Sequence, residues 1–323
     1  MKTTILKILI IAIIVISPAL AMNYAMLHIK NKIGFEYEYL DKLNILKETT
    51  ARKIVLVGGS NLIFGVNSTL LEDSLHVKVI NTGLHGELAL KFPIETVKQY
   101  LKPEDVMVLV LEYDNFKGNF WLGEDYLSNV VATDYSRFIP YLDRHQLFLC
   151  EKNFFRTSFK NFAAEYTGKH DPSYYRRTDF DQKGDYTGHL NKPGKPFIPV
   201  TQLDTLTFND EVIAYLDSIS TELKKKNVTF LIGFPPLLNK GYEAKKPFIE
   251  FVLRKLRKDQ NIQLVGDPKD YIFTGEQIFD REYHLNKFGR DARTIQFLHD
   301  LETVLYPPLL SNSQIASPPF DSK

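Results

Sequence analysis

The sequence has little cysteine and almost no net charge, and each shortage excludes a class of protein. Cys150 is the only cysteine, so the chain can form neither an internal disulfide nor a cysteine-based metal site. The formal net charge is +1, which gives no reason to expect a nucleic-acid partner. The spaced glycines of a dinucleotide-binding loop are also missing, because the glycine pair at Gly58 and Gly59 runs directly into Ser60.

What the sequence does contain is an alternation of strand and helix patterns. Short apolar runs typical of buried strands lie at 53–57, 77–80, 106–111, 228–233 and 262–265. The segments between them are long enough for helical crossovers, which favours a parallel sheet. A chain of 323 residues can bury a large core. The pattern therefore predicts an α/β fold, a three-layer α/β/α domain with a central parallel sheet.

The N-terminus carries one long apolar run. Residues 8–27 are long enough to cross a bilayer as a helix. The stretch Pro18–Ala21 is also similar to a signal-peptidase site, so cleavage and secretion stay open. We favour an uncleaved anchor, since the run continues past Ala21 to Leu27. The lysines on its two sides give little orientation signal, but a single N-terminal span favours a large domain outside the cytoplasm.

These patterns suggest four parts of the chain. Residues 1–27 form the anchor or signal segment, and 28–52 a connecting stalk. Residues 53–305 form the α/β domain, with an insertion at about 117–200 that is rich in aromatic residues. We expect this insertion to cover the active edge as a lid or substrate wall. Its aromatic side chains either join a satellite core or form a sugar platform. Residues 306–323 are predicted to be a loose tail.

The first candidate site residue is Ser60. It follows the buried strand 53–57 and the glycine pair, at the carboxyl end of a strand. Open α/β sheets bind their ligands at this edge. A serine there becomes a nucleophile when a neighbouring base accepts its proton. The simpler interpretation is that Ser60 only caps the next helix.

The second candidate stretch is Phe279–Asn286, just before the last helical pattern. His284 is the best candidate for the base, and Asp280 could hold its other ring nitrogen. A metal site formed by His85, Asp280 and His284 is disfavoured, because the sequence lacks a tight cluster of ligand residues. His85 either contacts substrate or is simply solvated. No metal and no cofactor are expected.

Three motifs resemble the SGNH (GDSL-like) hydrolase superfamily. They are Gly59-Ser60 after the first strand, Asn81-Thr-Gly-Leu-His-Gly86 after the second, and Asp280-Arg-Glu-Tyr-His-Leu-Asn286 before the final helix. The chain is most similar to membrane-tethered, exported members that accompany polysaccharide or cell-wall O-acylation systems. The resemblance implies an SGNH/flavodoxin-like sheet and a Ser60, His284 and Asp280 triad.

The resemblance also implies an oxyanion hole. Its donors would be the amides of Ser60 and Gly86, with Gly83 as the less favoured glycine, and the Asn115 side chain. Two departures bear on this. Gly59 stands where the family has aspartate, and Glu112-Tyr-Asp-Asn115 stands where it has Gly-x-Asn-Asp. Asn115 is therefore either an oxyanion donor or a turn residue, and Glu112 either enters the site or pairs with an arginine.

The function implied by the resemblance is that of an esterase or O-acyltransferase acting on acyl esters of a glycan. The expected partners are the acylated glycan, the membrane through the N-terminal helix, and a membrane-bound O-acyltransferase as a further candidate. The alternative is a non-catalytic glycan-binding or assembly component of a polysaccharide acylation or export system that retains the fold. The two departures are the reason to keep this alternative beside the main hypothesis of an enzyme.

Overall fold

The computed structural model describes residues 2–28, 34–167, 175–195 and 198–306. Its strands are β1 (Lys53–Gly58), β2 (Lys78–Asn81), β3 (Val106–Val110), β4 (Thr229–Gly233), β5 (Leu237–Leu238), β6 (Gln263–Val265) and β7 (Ile272–Phe273). Five of them form one parallel sheet in the order β2-β1-β3-β4-β6, while β5 and β7 pair separately. The predicted α/β class with a parallel central sheet is confirmed.

Helices lie on both faces of this sheet. They are α1 (Lys2–His28), α2 (Glu38–Glu48), α3 (Ser60–Ile63), α4 (Ser68–Leu75), α5 (Lys91–Val97), α6 (Asp125–Val131), α7 (Tyr135–Phe138), α8 (Arg144–Thr167), α9 (Asp210–Lys225), α10 (Asn239–Lys258) and α11 (Lys287–Leu305). Successive side chains of β1 enter opposite cores, because residues alternate across a strand. Val55 and Val57 join the core with α2, α5 and α9, whereas Ile54 and Leu56 join the core with α4 and α11.

The segment predicted as a stalk differs from that expectation. Residues 38–48 form α2, and its apolar side chains Tyr39, Leu43 and Leu46 are each at most 1% exposed within the main core. The spacing of these residues places them on one helical face, which is the pattern of a helix packed on a domain rather than of a free linker. Residues 34–52 therefore belong to the globular part, while 29–33 lie outside the described residues.

The predicted insertion contributes both core and surface. Leu127, Phe138 and Tyr186 are buried in the main core, so part of the aromatic content supports the fold. Phe148 and Phe159 of α8 are instead exposed. The boundaries of the insertion stay a prediction. The predicted loose tail begins where α11 has just ended, and 307–323 lie outside the described residues.

Helix α1 contains a stretch, Lys2–Met22, that is long and apolar enough to cross a membrane. Ile5, Leu9 and Ile13 on this stretch are all exposed, so they fill no protein core. A membrane anchor and a signal sequence share these properties.

Candidate active site

The candidate site lies where the strand order of the sheet reverses. The chain starts the sheet at β1, adds β2 on one side of it, and then crosses to the other side to add β3. Ligands of open parallel sheets bind in the crevice at this switch point. Ser60 follows β1 as the first residue of α3, and Glu112 follows β3. Both side chains are partly exposed at the carboxyl edge of the sheet.

The structure brings the three predicted residues together in one hydrogen-bonded line. Ser60 Oγ lies 2.8 Å from His284 Nε2, and His284 Nδ1 lies 2.7 Å from Asp280 Oδ1. The imidazole is 3% exposed, while Ser60 is reached from solvent. A serine hydroxyl, an imidazole and a carboxylate in this order can transfer the hydroxyl proton to the ring.

A short backbone turn holds His284 and Asp280. The amide of Phe279 donates to the carbonyl of His284 at 2.8 Å, and the amide of His284 donates to the carbonyl of Arg281 at 3.0 Å. Asn286 then caps α11 by accepting the Gly289 amide. The start of α11 therefore fixes the position of this turn and of the His284 imidazole that it carries.

Two aromatic side chains from other parts of the chain also contact His284 and Asp280. The Phe64 ring stacks on His284 with centroids 4.2 Å apart. Tyr175 donates its hydroxyl to Asp280 Oδ2 at 2.6 Å. No local sequence pattern marks Tyr175 as a site residue, because its partner Asp280 lies 105 positions away in the chain. Together these contacts restrict the rotation of both His284 and Asp280.

Electrostatics keep Asp280 ionised and His284 neutral. Burial lowers the pKa of His284, and the Asp280 carboxylate opposes this shift without cancelling it. Burial raises the pKa of Asp280, but the hydrogen bond and charge of His284 and the hydrogen bond from Tyr175 outweigh it, so its pKa lies below the usual value. A neutral imidazole beside an ionised carboxylate is the form that can accept a proton.

Two of the predicted oxyanion donors are amides at the first position of a helical turn. Ser60 begins α3, and Gly86 begins the 3-10 turn Gly86–Leu88. Amides at helix starts have no acceptor within their own helix. Gly86 also approaches the nucleophile, because a Cβ built on Gly59 would lie 3.0 Å from the Gly86 Cα. The Gly83 amide is engaged, since it donates to Asn81 Oδ1 at 3.0 Å, which favours Gly86.

The expected third donor, Asn115, is engaged within its own turn. Its side chain is 3% exposed, and its Nδ2 donates to the Glu112 carbonyl at 3.1 Å. The carboxyl group beside Ser60 belongs to Glu112, whose Oε1 lies 3.5 Å from Ser60 Oγ and 3.4 Å from Asn61 Nδ2. This hydrogen bond is typical of a turn residue, and the role of Asn115 as an oxyanion donor stays a prediction. The structure also selects the first of the two interpretations of Glu112.

The Glu112 carboxyl group lies between the two glycines. A Cβ built on Gly86 would be 2.9 Å from Glu112 Oε2, and one built on Gly59 would be 3.1 Å from Glu112 Oε1. Burial first, and then the charge of Asp114, raises the pKa of Glu112 to about 7. Near neutral pH this carboxyl group is therefore present in both its protonated and its ionised form.

His85 is held against the protein rather than free in solvent. Its ring stacks on Tyr126 with centroids 4.0 Å apart, and its Nδ1 accepts the Glu87 amide at 3.2 Å. Burial, followed by the charge of Arg281, lowers its pKa to about 4, so the ring is neutral. Within the described ranges no group of three or more His, Cys, Asp and Glu side chains is arranged to hold a metal ion.

Comparisons with models of protein families and with curated proteins find no match. In structure, the chain is similar to a family two carbohydrate esterase from Clostridium thermocellum in complex with cellohexaose, with a TM-score of 0.33 and 10% sequence identity. An active-site mutant of a family two carbohydrate esterase from the same organism gives the same values. Each alignment covers 79% of this chain, which spans 64% of the length of the esterase chain.

Proposed function

We propose that this chain is a serine esterase or O-acyltransferase that acts on O-acyl esters of a glycan. The observation that carries the proposal is the line from Asp280 through His284 to Ser60, with contacts of 2.7 and 2.8 Å. The glycan as substrate class follows from the resemblance to exported SGNH hydrolases. The proposal includes the anchor: α1 holds the domain at the outer side of a membrane, where a membrane-bound O-acyltransferase is a candidate partner.

In the first half-reaction Ser60 Oγ attacks the ester carbonyl carbon. His284 Nε2 accepts the hydroxyl proton, and Asp280 stabilises the imidazolium that forms. Negative charge develops on the carbonyl oxygen, and the Ser60 and Gly86 amides can donate to it. Each such donor lowers the barrier by about 3 kcal/mol in comparable sites. The C–O bond to the sugar then breaks as His284 returns the proton to the leaving oxygen, which leaves an acyl-serine.

The second half-reaction reverses these steps with a new acceptor. Water attacks the acyl-serine in an esterase cycle, and a sugar hydroxyl attacks it in a transferase cycle. His284 removes the acceptor proton and then returns it to Ser60 Oγ. Added acceptor glycan distinguishes the two cycles, because it diverts the acyl group from water only if the site binds the glycan.

Covalent labelling of Ser60 tests the proposal. A fluorophosphonate forms a stable adduct only with a serine whose hydroxyl is activated, so we expect the folded full chain to be labelled at Ser60. Peptide mass spectrometry locates the adduct. Exposed Ser218 of α9 is the internal control and should stay unmodified. Labelling that is absent at Ser60, or equal at both serines, would contradict an activated nucleophile.

A second candidate function is favoured by the position of Glu112. An ionised carboxylate between Gly59 and Gly86 repels the oxyanion that esterase chemistry must stabilise. If that form prevails, the site can bind a glycan without turning over an ester. The chain would then be a non-catalytic glycan-binding or assembly component. The protonated form has the opposite effect, because a neutral carboxyl group can donate a hydrogen bond to the oxyanion.

The dependence of rate on pH separates the two functions. The rate should rise with pH as His284 loses its proton, at a pKa below the usual histidine value. It should fall as pH passes about 7, because Glu112 then becomes charged beside the oxyanion. Glu112→Gln stays neutral and should lose this alkaline limb. At one pH unit above the Glu112 pKa we expect the variant to be about ten-fold faster than the parent chain in kcat/KM.

The readout is kcat/KM for a nitrophenyl acetate across the pH range, with thermal melts of both proteins. Asp114→Asn is the matched control, since it removes a neighbouring charge but no group beside Ser60. The Asp114 charge raises the pKa of Glu112, so this variant should move the alkaline limb to lower pH without removing it. If Glu112→Gln and the parent chain are both inert at every pH, the non-catalytic function is the better account.

A further inference from the structure

Helix α8 presents a line of exposed aromatic side chains. Phe148, Phe155, Phe159 and Tyr166 are 66%, 45%, 65% and 75% exposed. Their spacings of seven, four and seven residues put them on one face of the helix. Soluble proteins rarely leave so many large aromatic groups together in water, so such a row indicates a surface that meets another phase or partner.

Basic side chains accompany this aromatic row. Arg144, Lys152, Arg156 and Lys160 are exposed on the same helix, while the exposed acidic side chain on it is Glu151. Lys152, Arg156 and Lys160 follow one another at intervals of four residues and so form a stripe beside the aromatic row. Arg156 has an acidic neighbour, Asp125, at 3.9 Å. Aromatic and basic stripes side by side are typical of helices that lie in a membrane interface.

The opposite face of α8 is fixed to the domain. Gln146, Cys150, Asn153 and Thr157 are buried there, and Gln146 donates to the Leu122 carbonyl at 2.7 Å. The aromatic row therefore cannot turn inward to form a core. Helix α1 contacts α8, and the aromatic row remains exposed. The apolar helix and the helix that carries the row thus lie on the same part of the molecule.

We propose that α8 lies in the headgroup region of an anionic bilayer, with its aromatic row in the acyl boundary and its basic stripe on lipid phosphates. The contact between α8 and the apolar helix α1 argues for a lipid surface over a protein partner, because an inserted α1 places α8 at the bilayer. The surplus of basic side chains specifies the anionic headgroup. This proposal is independent of any chemistry at Ser60.

The docked helix is linked to the candidate active site through α6. Helix α6 packs against α8, and its Tyr126 stacks on His85 in the loop that carries Gly86. The Tyr126 amide also donates to Glu87 Oε2 at 3.2 Å. Binding of α8 to the lipid surface would therefore fix the orientation of the candidate active site relative to the membrane. It would also fix the distance between the bilayer and the site where the substrate binds.

Spin labels in the full-length chain test the proposal. With Cys150→Ala as background, Phe159→Cys introduces a single thiol for a nitroxide, and Phe155→Cys gives a second position on the same row. Ile295→Cys is the matched control, since Ile295 is 61% exposed on α11, which packs on the other face of the sheet. Oxygen and a water-soluble nickel chelate are the relaxation probes, in bilayers of phosphatidylcholine with or without phosphatidylglycerol.

In the anionic bilayer we expect the labels at 155 and 159 to become more accessible to oxygen and less accessible to the nickel chelate. The label at 295 should keep the accessibility of a residue in water. Lys152→Glu with Lys160→Glu should reverse this shift without changing the melting temperature. Labels at 159 and 295 that behave alike in the anionic bilayer would overturn the proposal. Dipolar broadening between labels at 159 would also overturn it, because that result assigns the row to a second copy of the chain.

Discussion

Ser60→Ala and His284→Ala should each reduce kcat/KM for an activated ester by about five orders of magnitude or more, with little change in folding. In hydrolases with such a hydrogen-bonded line, removing the nucleophile or the base alone costs nearly the whole contribution. The 2.8 Å contact between Ser60 Oγ and His284 Nε2 predicts the same coupling here. The double variant should therefore be scarcely slower than either single one.

Initial rates and thermal melts check this prediction together. Ser60 is small and partly exposed, so its hydroxyl contributes little to the core. Ser218→Ala, on the exposed side of α9, is the matched serine control and should retain full activity. Losses that add up in the double variant would mean that Ser60 and His284 act separately. Full activity of Ser60→Ala would remove the esterase proposal and leave the binding component.

Asp280→Asn should cost about four orders of magnitude, a smaller loss than that of His284→Ala. Asp280 accepts two hydrogen bonds, one from His284 at Oδ1 and one from Tyr175 at Oδ2. An asparagine has one acceptor oxygen, so it can serve only one of these donors. If its oxygen faces Tyr175, its amide group faces His284 Nδ1. The imidazole must then carry its proton on Nε2, where it cannot accept one from Ser60.

Tyr175→Phe separates the loss of the carboxylate charge from the wrong orientation of the asparagine amide. It removes the competing donor while leaving the carboxylate and the His284 contact intact, so its own loss of rate should be small. In the Asp280→Asn background, Tyr175→Phe should recover part of the lost activity, because the asparagine oxygen is then free to turn towards His284. Steady-state rates of the four proteins form the double-mutant cycle. Strictly additive losses would show that Tyr175 does not compete for the orientation of residue 280.

The convergence of Ser60 and His284 was predictable because each follows a pattern with a strong local cause. The run before Ser60 is buried on both faces as β1, and parallel strands bring their carboxyl ends to one edge. Asn286 caps α11, which fixes the turn that carries Asp280 and His284. Pattern and spacing decide such features without reference to distant residues. The same holds for the parallel sheet itself.

Glu112, Tyr175 and α2 show what local patterns leave out. The position of Glu112 beside Ser60 depends on the register of β3 against β1, in which Val110 lies opposite Gly58. Tyr175 reaches Asp280 from within the long segment between β3 and β4, and no periodicity encodes that contact. The apolar spacing of α2 is typical of a helix, but it does not say whether that helix packs on the domain, and the charged residues around it favoured a stalk. Tertiary packing decides each of these three cases.

The close approach at Gly59 restricts how this site could change by mutation. Any side chain at position 59 would meet the Gly86 backbone at 3.0 Å and Glu112 at 3.1 Å, and the backbone contact cannot be relieved by a rotamer change. A side chain at position 59 therefore requires the Gly86 backbone and the Glu112 carboxyl group each to move by a few tenths of an ångström. Because positions 59 and 112 lie in contact, we expect the effects of substitutions at the two positions to be non-additive. The size of the residue at position 59 therefore limits the size of the residue at position 112, so a substitution at one position changes which side chains the other can hold.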